Sequence, residues 1–75
     1  MYTIKITNEN GECTEYKHII KVCYNQAGIA EHTLEKEDIF NHQYNPYYDL
    51  HLYSEDDAYT ISKKGISVIQ VVKEN

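Results

Sequence analysis

The chain has 75 residues and a formal net charge of −5, and it contains no arginine. A chain of this length forms one domain, residues 1–75, and its few aliphatic side chains leave the eight tyrosines to supply part of the core. Because nucleic-acid duplexes are bound through basic surfaces, the composition argues against direct nucleic-acid binding. No stretch approaches the about 20 apolar residues of a membrane span, and the first residues lack the pattern of a secretory signal. We therefore expect a cytoplasmic protein without membrane contact.

The first third of the chain predicts two strands. Residues 2–7 alternate between apolar and polar side chains, which is typical of a half-buried strand. Asn10 and Gly11 follow as a turn signal, because both tolerate a positive φ, so residues 12–24 are expected to return as a second strand. Residues 14–24 also fit an amphipathic helix, although their β-branched and aromatic content favours the strand. The helical alternative would make the fold α+β.

The middle of the chain is less regular. A second turn is predicted at 25–28 and a third strand at 29–36. Residues 36–42 predict one short helix, and the following segment to Pro46 is typical of a loop. Regular alternation returns at 48–53, which predicts another strand.

The last third predicts a hairpin. Residues 58–62 and 66–73 are expected to pair around a turn at 63–65. The final strand is apolar on both faces, which indicates burial by the core on one side and by a second layer or a second subunit on the other.

Six short strands joined by turns predict a mostly β fold, an antiparallel sheet curled into a small barrel or sandwich. An open sheet of this size would leave edges that pair readily with another chain. We therefore expect a homo-oligomer, a dimer or larger. The residues assigned to its interface are Ile66, Val68, Ile69 and Val71.

The cysteines and histidines lack the spacing of a metal site. Cys13, His18 and Cys23 follow one another at five-residue steps, which puts neighbours on opposite faces of a strand. Cys13 and Cys23 are too far apart on a straight strand to form a disulfide, so both are expected to be free thiols. His32 and His42 could meet only through the fold. We predict no metal and no cofactor.

No nucleophile has a base beside it in a recognisable local arrangement. A triad of Cys23, His32 and Asp38 can be drawn, but no local signature supports it. A chain this short also has difficulty enclosing a cleft that excludes water. We therefore predict that the protein is not an enzyme.

The segment 44–48 is the strongest candidate for a binding surface, because three of its five residues are tyrosines in an irregular stretch. Tyrosine offers contact area that is apolar on its face and polar at its tip. The competing interpretation, of equal weight, is that these rings cap a small core. The candidate binding residues are Tyr44, Asn45, Tyr47, Tyr48, Glu55, Asp56, Asp57, Lys63 and Lys64.

Three hypotheses about function follow. Residues 31–57 hold eight acidic residues and one lysine, which favours a non-catalytic interaction protein that presents an acidic, Tyr-rich surface to a basic protein partner. Such a protein would be an inhibitor or adaptor, for instance of a mobile element. The first alternative is a small homo-oligomer that binds a small molecule such as a nucleotide at subunit junctions. In the second, the chain is a structural subunit joined by strand addition through 66–72. Rings beside the acids favour the first hypothesis, and rings beside Lys63 and Lys64 favour the nucleotide alternative.

Overall fold

The computed structural model describes residues 1–25, 31–45, 48–62 and 64–74, and the fold below is that of these residues. They form seven strands and one helix. In chain order these are β1 (Tyr2–Asn8), β2 (Cys13–Ile19), β3 (Lys21–Asn25), β4 (His32–Glu35), α1 (Glu37–Asn41), β5 (Asp49–Tyr53), β6 (Ala58–Ile61) and β7 (Ile66–Lys73). The predictions of a mostly β chain and of one short helix within 36–42 are confirmed.

The strands form two antiparallel sheets. The first sheet has the order β2-β1-β7, and the second has the order β4-β3-β5-β6. Each sheet ends in two edge strands, so the described residues form no closed barrel.

The turn between β1 and β2 forms as the sequence predicts. Gly11 has a φ of 84°, a conformation that is open to glycine without steric cost. The side-chain oxygen of Asn8 accepts the backbone N–H groups of Asn10 and Glu12, each at 3.0 Å. A local hydrogen-bond network therefore closes this end of the first sheet.

The predicted strand over 12–24 is a strand and not a helix, but it is divided at Ile20, so β2 and β3 belong to different sheets. The N–H of Ile20 donates to the carbonyl of Tyr53 at 2.8 Å and so joins the second sheet. Ile19, just before the division, and Val22, just after it, are both fully buried. This division raises the strand count from the predicted six to seven.

The predicted hairpin of 58–62 with 66–73 is wrong. β6 pairs with β5, and β7 pairs with β1 in the other sheet. The register places Ile69 and Val71 opposite Ile6 and Ile4, so the core-facing side of β7 lies beside the apolar side of β1, over a longer span than the four residues of β6 could provide. Some predictions lie outside the described residues: most of the predicted turn at 25–28, the loop residue Pro46, and the first residue of the predicted turn at 63–65.

One core joins both sheets and the helix. Its buried side chains are Ile4, Ile6, Ile19, Val22, Ile39, Leu50 and Leu52. Five tyrosines are partly buried against this cluster, which confirms that tyrosine supplies packing in a chain short of aliphatic residues. No helix in the described ranges is long and apolar enough to cross a membrane.

The two faces of β7 differ. A register irregularity beside Asn8 lets Ile66 share the core-facing side with Ile69 and Val71, and all three pack against the core. Val68, on the opposite face, is 52% exposed. The expectation that a second layer of the same chain covers this face is therefore wrong at Val68, and cover by a second subunit stays a prediction.

Candidate functional site

The edge strands β2 and β6 approach each other at one flank of the molecule. The rings of Tyr16 in β2 and Tyr59 in β6 meet edge to face, with centroids 4.9 Å apart, a favourable geometry for aromatic pairs. Both rings are partly buried against the core. This contact fixes the spacing between the two sheets at the flank.

The turn between β5 and β6 lies at the same flank and is held by its own hydrogen bonds. The N–H of Ser54 donates to the carbonyl of Asp57 at 2.8 Å, and the N–H of Asp57 donates to Ser54 Oγ at 2.9 Å. Glu55 and Asp56 lie at the tip and are exposed. The turn therefore presents two carboxylates on a defined loop.

An open groove of about 500 Å³ lies between β2 and this turn. We call it the acidic groove, because Glu15, Glu55, Asp56 and Asp57 line it against Lys17. Its lining also includes the apolar surfaces of Met1 and Tyr59, together with Ser54 and His18. The lining therefore combines carboxylates with side chains that offer apolar surface.

Glu15 is oriented by a neighbouring strand. Lys5 Nζ lies 3.3 Å from Glu15 Oε1, and both side chains are more than one third exposed. An exposed pair of this kind contributes little to stability. The Glu15 carboxylate thus already has one cationic neighbour.

A β-bulge shapes the wall of the groove that β2 provides. The pairing of β1 with β2 shifts register so that Lys17 and His18 together oppose Thr3. His18 has a φ of 60°, which is uncommon outside glycine. The bulge leaves the N–H of His18 outside the β1–β2 ladder.

Glu74 supplies the partner that this bulge needs. Its Oε2 accepts the N–H of His18 at 2.8 Å and the hydroxyl of Thr3 at 2.6 Å, and its Oε1 lies 2.9 Å from His18 Nδ1. The hydrogen bond from Thr3 first, and then that from the His18 N–H, lower the pKa of Glu74 to about 2. The residue just after β7 thus fixes the wall of the groove.

Aromatic rings gather at a different place, and we call them the ring cluster: Tyr24, His32, His42, Tyr44 and Tyr48. Tyr24 is its centre, with ring centroids at 5.3 Å from Tyr48, 5.0 Å from His32 and 4.7 Å from His42. His42 also meets the Tyr44 ring edge to face at 4.9 Å. Each member therefore contacts at least one other ring.

Two members of the ring cluster, His42 and Tyr44, are partly buried. The Tyr44 hydroxyl donates to the carbonyl of Ile39 at 2.7 Å, and burial is the main reason that the pKa of Tyr44 is well above its ordinary value. Burial, and then the nearby His32, lower the pKa of His42. Through these contacts the rings pack between α1 and the second sheet. This is the arrangement that the interpretation of the tyrosines as a cap over the core describes.

The predicted binding residues do not form one surface. Tyr44 and Tyr48 belong to the ring cluster, where β5 begins, whereas Glu55, Asp56 and Asp57 line the acidic groove beyond the end of β5. The structure brings the acids together with Glu15, which the sequence analysis did not assign to the site. Only the packing of the two sheets against each other reveals that neighbour.

The remaining predicted residues lie elsewhere. The carbonyl of Asn45 accepts the N–H of Tyr48 at 3.1 Å. Lys64 follows β6, whose register with β5 puts Ile61 opposite Leu50, so this lysine lies towards the Tyr48 end of the second sheet. Tyr47 and Lys63 lie outside the described residues. The ring cluster thus lies apart from the acids at 55–57 and towards the end that carries Lys64. This is the arrangement that the nucleotide alternative expects, and nucleotide binding stays a prediction.

Within the described residues, the triad of Cys23, His32 and Asp38 that the sequence allows is not assembled. Register places Cys23 opposite Thr33, with Sγ and Oγ1 3.6 Å apart, and Tyr24 opposite His32. Cys23 and His32 therefore lie on opposite faces of the second sheet. Cys13 is an exposed free thiol and Cys23 a buried one. Among the residues that the structure describes, no three His, Cys, Asp or Glu side chains are placed to share a metal ion.

Neither a protein-family model, nor a curated protein, nor a solved structure matches this chain.

Proposed function

We propose that the chain is a non-catalytic binding protein whose acidic groove takes up a segment of a protein partner that is rich in lysine or arginine. The observation that carries the proposal is the convergence of Glu15, Glu55, Asp56 and Asp57 on one open groove with a single lysine among them. A protein that covers a basic surface of its partner in this way acts as an inhibitor or an adaptor.

The lining of the groove suits a long cationic side chain. Lysine and arginine keep their charge in water while their aliphatic stems lie along apolar surface. Tyr59 and Met1 provide such surface, and the face of a tyrosine ring also attracts a cation. The carboxylates at the rim would then meet the charged heads.

Two features reduce the ordering that binding requires. The turn that presents Glu55 and Asp56 is held by the paired bonds of Ser54 and Asp57, and the β2 wall is fixed by Glu74. A site whose groups already have their bound arrangement loses less conformational entropy on binding. The net charge of −5 adds long-range attraction for a basic partner.

A pair of matched double variants tests the proposal, with hexalysine as the probe. Glu55→Gln with Asp56→Asn removes two charges from the groove, and Glu9→Gln with Glu12→Gln removes two from the β1–β2 turn at the far end of the first sheet. Because exposed ion pairs contribute up to about 1 kcal/mol each, the groove variant should bind hexalysine about fivefold to tenfold more weakly. The turn variant should stay close to wild type.

Titration calorimetry at two salt concentrations completes the test. Binding by the wild-type protein should weaken as salt is added, because exposed charges are screened. Equal losses in both double variants would show that net charge alone attracts the peptide, and the proposed site would be wrong.

A further inference from the structure

Three of the four sheet edges in the described chain carry features that discourage pairing with another strand. β4 and β6 have four residues each. β2 carries Glu15, Lys17 and His18 and contains the bulge. Short strands, charges and bulges are the devices by which proteins protect exposed edges.

β7 has none of these protections over most of its length. It is the longest described strand, with eight residues, and its charge is confined to Lys73 at the end. Its irregularity is at the opposite end, beside Ile66. One long side of β7 pairs with β1, and no described strand pairs with its other side. Helix α1 approaches the Lys73 end, where Lys73 Nζ lies 4.3 Å from the Phe40 ring centroid.

We propose that β7 pairs antiparallel with β7 of a second copy of this chain, so that two first sheets join into one continuous sheet. The second copy is the occupant because the sequence of β7 is self-complementary. A two-fold axis normal to the sheet and passing at Gln70 keeps the core-facing sides of both copies on the same side. Ile69 then lies opposite Val71 of the second copy and continues the apolar layer.

The same register covers the exposed outer face. It places Val68 opposite Val72 of the second copy, and apolar cross-strand pairs stabilise a sheet. Lys73 lies opposite Ser67 of the second copy, so no like charges face each other. A shift of one residue would turn the core-facing side of one copy towards solvent. A shift of two, centred on Ile69, would pair Val68 with Gln70 and lose the apolar match.

The first test compares two lysine substitutions on edge strands of the same sheet. Val68→Lys places charge in the proposed interface at a position that is 52% exposed in the single chain, so the monomer should stay folded. Thr14→Lys makes a similar change at an exposed position of β2. Sedimentation velocity over a range of concentrations should show self-association of the wild type and of Thr14→Lys. Val68→Lys should be monomeric with an unchanged circular dichroism spectrum.

The second test measures the register by disulfide trapping in a Cys13→Ser background. Gln70→Cys puts two thiols directly opposite each other at the two-fold axis, at a Cβ separation of about 4.5–5.5 Å, from which a small movement forms a disulfide. Ser67→Cys places its thiol opposite Lys73 of the second copy, away from its own equivalent. Oxidation should give covalent dimers of the Gln70→Cys variant and little dimer of the Ser67→Cys variant.

Three outcomes would overturn the inference: a wild-type protein that is monomeric at every soluble concentration, a Val68→Lys variant that associates as the wild type does, or equal trapping of the two cysteine variants. The acidic groove lies at the opposite flank of the first sheet. Hexalysine binding by Val68→Lys should therefore match the wild type, which keeps this test separate from that of the groove.

Discussion

At the residue scale, Glu74 connects parts of the chain that are distant in sequence. Its backbone N–H donates to the Met1 carbonyl at 3.2 Å, which extends the pairing of β1 and β7. Its carboxylate binds the His18 N–H and the Thr3 hydroxyl. Carboxylates that accept several hydrogen bonds in the folded state resist protonation. Glu74 is therefore the residue through which pH should act on the bulge.

Replacing Glu74 with glutamine should lower the free energy of unfolding at neutral pH by about 1–2 kcal/mol, because hydrogen bonds to a charged acceptor become bonds to a neutral one. The folded-state pKa of about 2 lies below the ordinary value of 4.5. The contribution of the ionised group is thus fully present above the ordinary pKa and is lost as pH falls towards 2. Urea denaturation at a series of pH values should show the wild-type and variant curves converging over that window.

Glu12→Gln is the matched control for this change. Glu12 is exposed in the β1–β2 turn. The Glu12→Gln variant should therefore have nearly the same free energy of unfolding as the wild type at every pH. If the wild type and Glu74→Gln still differ in free energy of unfolding at the lowest pH, the ionised Glu74 carboxylate is not what stabilises the bulge.

At the element scale, helix α1 begins in a strained conformation. Lys36 precedes it with a φ of 54° and a ψ of −133°, and it makes no side-chain capping bond. Such a backbone conformation costs of order 1–3 kcal/mol in a residue with a Cβ, and glycine adopts it freely. Glu37 and Asp38 in the first turn are the residues that interact favourably with the helix dipole.

Replacing Lys36 with glycine should therefore raise the free energy of unfolding by about 1 kcal/mol. The relief of strain exceeds the about 0.5–1 kcal/mol that the greater freedom of glycine costs in the unfolded chain. Lys36→Ala removes the same charge but keeps the Cβ, and it should give no comparable gain. Thermal denaturation of the wild type, Lys36→Gly and Lys36→Ala ranks their stabilities. Equal stability of the glycine and alanine variants would show that backbone strain at Lys36 is not the cause.

Local sequence patterns predicted where strands and turns form better than they predicted which strands pair. The alternation of 2–7 and 48–53 and the Asn10-Gly11 turn depend on neighbouring residues, and the strands and turn formed there. The division at Ile20 depends on the carbonyl of Tyr53, far along the chain. The pairing of β7 depends on β1 at the other end of the sequence. Such contacts are set by packing between distant segments, which periodicity does not encode.

The same distinction explains the candidate site. The acids at 55–57 were visible as a polar turn, but their neighbour Glu15 belongs to another sheet. Tyr44 and Tyr48 were visible as a tyrosine-rich loop, but the contact of Tyr24 with His32 follows from the register of β3 and β4. The sequence therefore identified some residues of each cluster but not their neighbours from distant strands, and it could not separate the acids and the tyrosines into two sites.

At the scale of the whole molecule, the two sheets depend on one core. Ile4 and Ile6 come from the first sheet, Leu50 and Leu52 from the second, and Ile39 from the helix, and all are buried in a single cluster. Domains of this size have a total stability of about 4–11 kcal/mol. A shared core of this kind should make unfolding one cooperative transition, in which neither sheet survives without the other.

Replacing Leu52 with alanine tests this cooperativity. The side chain has no exposed surface, so its truncation should cost about 2–5 kcal/mol, a large part of the total. Amide hydrogen exchange should then lose protection in β1 of the first sheet as well as in β5, since the slowest amides of both sheets exchange through the same global opening. Truncation of the exposed Val68 to alanine should leave protection in both sheets close to wild type. Faster exchange in β5 with unchanged protection in β1 would show instead that the first sheet stays folded without the second. The acidic groove, which lies between the two sheets, would then lack the rigid frame that binding requires.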